Sequence, residues 1–283
     1  MPTKIEKDAV TGQDTTGHEW DGIKELNNPL PKWWLYILWA TVIWSIGYYF
    51  WSSPIPGVEG FQEPARERLE QTMATAREQQ SVFLEKIAAA QLEEIRDDPE
   101  LLNFAMAGGG SAFADNCAPC HGQGGAGAPG FPTLADDAWI WGGTLEAIHE
   151  TILHGVRTDD IQSRYSEMMA FGDGILDRSQ VSDVADYVLS LSGQSVDRDA
   201  AARGEVLFEE NCVACHAEGG VGDMEQGAPA LNNQVWLYGG TKADIEAQIW
   251  RPQHGVMPGW VDRLDPETIK MLTVYVHTLG GGQ

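Results

Sequence analysis

The chain has 283 residues, with 42 Asp and Glu against 18 Lys and Arg and a formal net charge of −24. That length holds two small domains with further segments beside them. The acidic balance argues against nucleic acid and for a basic or apolar partner, because an acidic surface steers cationic proteins toward it.

Residues 1–31 are polar, with no basic stretch leading into an apolar core and no small-residue cleavage site after the apolar run that follows. They therefore do not read as a removable signal peptide. On pattern alone they predict an irregular tail without a clear period, bounded by Asn28-Pro29-Leu30-Pro31. His18 stands alone there and is not expected to be a ligand.

From Trp33 to Trp51 there is no charged residue. At about 1.5 Å of rise per residue, such a run matches a hydrocarbon core of about 30 Å and predicts a transmembrane helix over 32–53 rather than a buried soluble one. Lys32, Trp33 and Trp34 mark one interface, and Tyr48, Tyr49 and Trp51 the other. Lys4, Lys7, Lys24 and Lys32 precede the helix while Arg66 and Arg68 follow it, which leans toward an N-terminus inside. Ser52-Ser53-Pro54-Ile55-Pro56-Gly57 should end the helix. Residues 54–101 then predict a helical connector, with apolar Leu69, Met73, Ala76, Phe83, Ile87, Leu92 and Ile95 and a close at Asp97-Asp98-Pro99.

All four cysteines lie in two five-residue strings, Cys117-Ala118-Pro119-Cys120-His121 and Cys212-Val213-Ala214-Cys215-His216. The pattern C-x-x-C-H is the attachment site of a c-type haem: the thiols form thioethers to the vinyl groups and the adjacent histidine reaches the iron. Two covalently bound haem c groups follow, on Cys117 and Cys120 with His121, and on Cys212 and Cys215 with His216. A zinc site would need four N/S ligands in a compact cluster. A redox dithiol would sit in a βαβ unit, which the pattern lacks. In bacteria such haems are attached outside the cytoplasmic membrane, so both motifs should be periplasmic, the tail cytoplasmic, and the helix an uncleaved single-pass anchor in the inner membrane.

The two halves repeat. Phe113 and Asn116 precede the first motif as Phe208 and Asn211 precede the second, 95 residues on. Beyond the motifs Pro132, Leu134, Trp139, Trp141-Gly142-Gly143-Thr144 match Pro229, Leu231, Trp236, Tyr238-Gly239-Gly240-Thr241, 97 residues on. Each half continues with an amphipathic helix around Ile148 and Ile152, or Ile245 and Ile249, and a terminal helix, 181–191 or 266–279. Residues 194–197 are the polar boundary. This layout resembles the class I cytochrome c fold over 102–194 and 198–281, which implies an all-α protein of one N-terminal transmembrane helix plus two tandem class I cytochrome c domains, each terminal helix packing back on its own first helix. Gly124, Gly125, Gly127 and Gly130, with Gly219, Gly220 and Gly222, suit loops passing close to a haem face.

Each iron needs a distal ligand or an open face. Met257, in Val256-Met257-Pro258-Gly259, holds the position where this fold presents its sulfur. In the first half Met168-Met169-Ala170-Phe171-Gly172 resembles the family's Met-Pro-Ala-Phe-Gly string, selecting Met168 with Met169 at the proline place. His154 and His254 are rival ligands, and Arg157 and Arg251 candidates for haem propionates. A thioether raises the potential, so His/Met pairs suit electron transfer.

Thr16-Gly17-His18-Glu19-Trp20-Asp21-Gly22-Ile23, then Glu25, Asn28-Pro29-Leu30-Pro31 and Trp33-Trp34, resembles the N-terminal signature of the dihaem subunit of cbb3-type cytochrome c oxidases. The resemblance covers nearly the whole chain. It implies a relay that takes electrons from a soluble or membrane-attached c-type cytochrome, with the bc1 complex as another candidate donor. The electrons pass to a monohaem c subunit and then to the haem-copper catalytic subunit, where oxygen is reduced with proton pumping. A free-standing anchored dihaem carrier for another respiratory or photosynthetic complex is the alternative. A dihaem peroxidase would require a vacant distal site, which two methionines disfavour.

Overall fold

The computed structural model describes residues 4–52, 65–280 and 282. The helix stop expected around Pro54 and Pro56 lies outside the described residues. The chain forms two compact units, residues 1–79 and 80–283.

In the first unit the tail is not irregular. Strands β1 (Thr15–Trp20) and β2 (Ile23–Leu26) form an antiparallel hairpin in which Trp20 pairs with Ile23, Glu19 with Lys24 and Thr15 with Leu26, with an irregularity between Thr15 and Glu19. The chain is therefore not all-α. The cause is local: Asp21 and Gly22 both take positive φ, 50° and 86°, which a two-residue hairpin turn with the twist of its strands demands. The buried Thr15 ties the hairpin to the chain before it, donating its N–H to the Glu6 carbonyl and accepting the Glu6 N–H on Oγ1. Lys24 and Glu6 pair at 2.5 Å across the same join.

Helix α1 spans Lys32–Ser52 and buries none of its side chains in this chain. Among the described residues no helix is long and apolar enough to cross a membrane by mean hydropathy. Helix α2 (Ala65–Ala89) is polar along most of its length, and its last turns belong to the second unit.

The second unit holds α3 (Leu92–Asp97), α4 (Pro99–Asn116), the single turn α5 (Ala118–His121), α6 (Leu145–His154), α7 (Arg178–Leu191), α8 (Arg198–Asn211), the single turn α9 (Val213–His216), α10 (Lys242–Trp250) and α11 (Pro266–Thr278). The starts of the long helices are written in the sequence: Asp98, Thr144, Asp177, Asp197 and Thr241 each accept backbone N–H groups of the first turn, and Pro99 and Pro266 occupy first-turn positions whose N–H would have no partner.

These helices build two lobes, but not along the repeat. The first helix of the first half, α4, packs on the last helix of the chain, α11; the last helix of the first half, α7, packs on the first helix of the second, α8. Terminal helices are thus exchanged between halves, against the expectation that each returns to its own first helix. Lobe I joins Phe113, Ile148 and Ile152 with Ile269, Leu272 and Val276 of α11. Lobe II joins Val181, Val184 and Val188 of α7 with Phe208, Ile245 and Ile249. The equivalent aromatic pairs say the same: Phe113 lies 5.4 Å from Tyr275 and Phe208 5.2 Å from Tyr187, ring centre to ring centre.

Both crossings are close because a glycine sits at each. A side chain at Gly109 would run into the Met271 backbone carbonyl, and one at Gly204 into that of Asp183. The physical reason for the exchange is the connection. Only Ser192–Asp197 separates α7 from α8, and two helices joined by so short a link close into an antiparallel pair at small entropic cost. Helices α4 and α11 are left to pair with each other. The end of the connector also joins lobe I. Ile87 and Ile95 are fully buried against Leu101, Leu145, Met271 and Val274, and Lys270 of α11 donates to the carbonyls of Ile87, Ala88 and Ala90 at 3.2, 2.8 and 2.8 Å.

Candidate haem centres

Each motif begins where a long helix ends. The Cys117 N–H bonds the Phe113 carbonyl at 2.8 Å, and the Cys117 carbonyl then accepts from Cys120 and His121, at 3.1 and 2.9 Å; Cys212, Phe208, Cys215 and His216 repeat the arrangement with the same three distances. One helical turn therefore sets both thiols three residues apart on one face, the spacing that two thioethers to one ring need. No disulfide joins the four cysteines; Cys117 and Cys212 are half-buried, while Cys120 and Cys215 are exposed. Burial, with the neighbouring cysteine second, pushes the Cys117 and Cys212 thiols up to about 11.

The histidines are aimed by backbone. His121 Nδ1 lies 3.0 Å from the Pro132 carbonyl oxygen and His216 Nδ1 3.0 Å from that of Pro229. A carbonyl only accepts, so each Nδ1 carries the proton and each Nε2 keeps its lone pair. Burial lowers both imidazole pKa values, which favours the neutral ligand form. The loops bearing these prolines are closed by the Gly127 N–H on the His121 carbonyl, 2.6 Å, and the Gly222 N–H on the His216 carbonyl, 2.9 Å.

The methionines sit in opposite lobes from their halves of the sequence. Met257 packs against the lobe I cluster with Cys117, Leu134 and Trp139, whereas Met168 packs against the lobe II cluster with Cys212, Leu231 and Trp236. Their loops are anchored alike: three residues after Met257, the Trp260 N–H bonds the Ile152 carbonyl at the end of α6, and three residues after Met168, the Phe171 N–H bonds the Ile249 carbonyl at the end of α10. Met169, at the proline place, is 61 % exposed.

The rival side chains are engaged elsewhere. His154 Nδ1 meets Asp160 at 2.7 Å. His254 Nε2 accepts the Met168 N–H at 3.0 Å. Arg157 donates to the Gly255 and Ser166 carbonyls, at 2.6 and 2.9 Å, and so clips together the two chain segments that cross between lobes. Arg251 caps the end of α10 and its side chain is exposed. Among the described residues no three His, Cys, Asp or Glu side chains gather as a metal site. A thiol pair on one face, an imidazole with its Nε2 lone pair free and an anchored thioether at each lobe make a donor set that fits haem c.

Sequence reading missed one pair. Trp141 covers Gly227 in the loop after the second motif, and Tyr238 lies 3.7 Å from where a side chain would start at Gly130, in the loop after the first. Both aromatics appeared at matching repeat positions; that each covers the other half's loop was not legible from a linear alignment.

Residues 12–58 match the family described as the N-terminal domain of cytochrome oxidase-cbb3, FixP; residues 106–192 match cytochrome c; residues 199–276 match cytochrome c oxidase, cbb3-type, subunit III. The chain is 52 % identical to the cbb3-type cytochrome c oxidase subunit CcoP of Azospirillum brasilense, over 98 % of this chain and 99 % of that one. It is 50 % identical to subunit FixP of Azorhizobium caulinodans, over 98 % and 96 %, and 48 % identical to FixP of Bradyrhizobium diazoefficiens over the whole of both.

Proposed function

Because the chain belongs to the CcoP/FixP family of cbb3-type cytochrome c oxidase subunits, we propose that it is the dihaem electron relay of such an oxidase, anchored in a bacterial inner membrane with both lobes in the periplasm. It takes electrons from a c-type cytochrome or a bc1 complex and delivers them to a monohaem subunit and on to the haem-copper subunit. The observation that carries this is the matched pair of donor sets.

Cys117 and Cys120 would hold one haem c, with His121 and Met257 supplying nitrogen and sulfur to its iron; Cys212 and Cys215 would hold the other, with His216 and Met168. Each haem, when bound, would supply a one-electron ferric/ferrous couple whose potential a thioether raises. The chain's own work is to keep each Nε2 unprotonated through its proline carbonyl, and to keep water from the buried side of each site with Phe113 and Trp139, or Phe208 and Trp236. The ligands are crossed relative to the repeat, so neither half completes its own site.

Helix α1 is the anchor. Its 21 residues span about 31 Å, and no charge lies between Lys32 and Ser52. Five Trp and three Tyr lower its mean hydropathy, yet such rings favour the membrane interface, where one edge is apolar and one polar. The lysines before α1 support an orientation with the tail and its hairpin in the cytoplasm.

The test is purification of the full-length chain from membranes in mild detergent through a tag. Co-purifying haem b, copper and cyanide-sensitive oxygen uptake support the proposal; covalent haem alone, with no oxygen uptake, contradicts it.

A further inference from the structure

The chain passes from lobe I to lobe II through residues 157–167 and returns through 251–256. On the return segment His254 stands three residues before Met257, yet its imidazole Nε2 accepts the backbone N–H of Met168 at 3.0 Å. A backbone N–H only donates, so this nitrogen holds its lone pair toward the loop that carries the other lobe's methionine. Arg157 fixes the two segments side by side: its Nε donates to the Gly255 carbonyl, next to His254, and its Nη1 to the Ser166 carbonyl, two residues before Met168. Between Arg164 and Phe171 the loop has no helix or strand. Its far end is held by Phe171 and Gly172 on the carbonyls of Ile249 and Trp250.

We infer that His254 is a positioning residue for Met168: it seats the thioether of the lobe II haem from a segment whose own methionine serves lobe I. The axial loops of the two haems are thereby one linked structure. This rests on the reading of Met168 as the ligand in lobe II. One neutral hydrogen bond weights the seated loop by about twofold to tenfold, enough to change the fraction of iron with sulfur bound. The expected effect falls on the haem whose methionine is remote in sequence from His254, because the contact leaves the Met257 backbone untouched: Met257 exchanges its own N–H and carbonyl with Val156 at 3.1 and 2.9 Å.

The experiment is a potentiometric titration of the full-length haem-loaded chain, followed with the far-red absorption band of ferric thioether-ligated haem. Met168→His and Met257→His each move one of the two potentials and so assign them. His254→Leu is then expected to lower the potential and weaken the thioether band of the haem assigned by Met168→His. The other haem should stay unchanged and report that the fold is intact. His254→Gln, whose amide oxygen reaches the place of Nε2, is expected to restore both signals. The inference is overturned if His254→Leu moves the haem assigned by Met257→His, or moves neither, or if the glutamine variant fails to rescue. If Met168→His itself shifts no potential, the ligand reading fails and takes the inference with it.

Discussion

Leu272 lies in the second half of the sequence, 56 residues after the second haem motif. In the folded chain it is 1 % exposed and packs with Phe113, Ile148 and Ile152 of the first half. Leu272→Ala deletes buried methyl groups at the α4–α11 contact and costs about 2–5 kcal/mol, because removed contacts and the residual cavity both count. The loss falls on lobe I alone, since α11 makes its helix contacts with α3, α4 and α6. About 3 kcal/mol corresponds to roughly a hundredfold change in an opening equilibrium. Amide hydrogen exchange followed by peptide mass spectrometry reads this directly: protection in Pro99–Asn116 should fall by about two orders of magnitude while Arg198–Asn211 keeps its protection. Faster exchange in Arg198–Asn211 with Pro99–Asn116 unchanged would refute the exchanged packing.

Two further outcomes follow from charge. Residues 116–283 carry 24 acidic against 9 basic side chains, so stopped-flow reduction by a basic cytochrome c should slow by about tenfold or more as salt rises to about 0.5 M; a rate flat in salt would point to an apolar or tethered donor. Lys270→Met removes the ammonium that holds three carbonyls at the end of α2. It should cost about 2 kcal/mol, seen as a lower denaturant midpoint with lost amide protection over residues 87–95.

The local geometry was legible in the sequence because it rests on short strings. Cys117 through His121 and Cys212 through His216 specify their own turn, and Asp98, Asp177 and Thr241 announce the helices they cap. The hairpin is written in Asp21-Gly22, but apolar periodicity does not reveal it: TTGHEW and IKEL carry no regular apolar alternation, and β2 and the second half of β1 are mostly exposed. The exchange of terminal helices could not be read. Gly109 and Gly204, Phe113 and Phe208, and Tyr275 and Tyr187 make the two crossings nearly equivalent, so α11 and α7 each suit either first helix. What decides is the length of the α7–α8 link, a property of connection rather than of any residue. The roles of Arg157 and His254 depend on that crossing and were hidden with it.

The most direct measurement is an iron-edge anomalous diffraction or high-resolution cryo-microscopy map of the haem-loaded chain, with each iron assigned to its cysteine pair. Met257 sulfur is expected opposite His121 on the haem of Cys117 and Cys120, and Met168 sulfur opposite His216 on the haem of Cys212 and Cys215. Met168 on the iron of His121, with Met257 on that of His216, would contradict it.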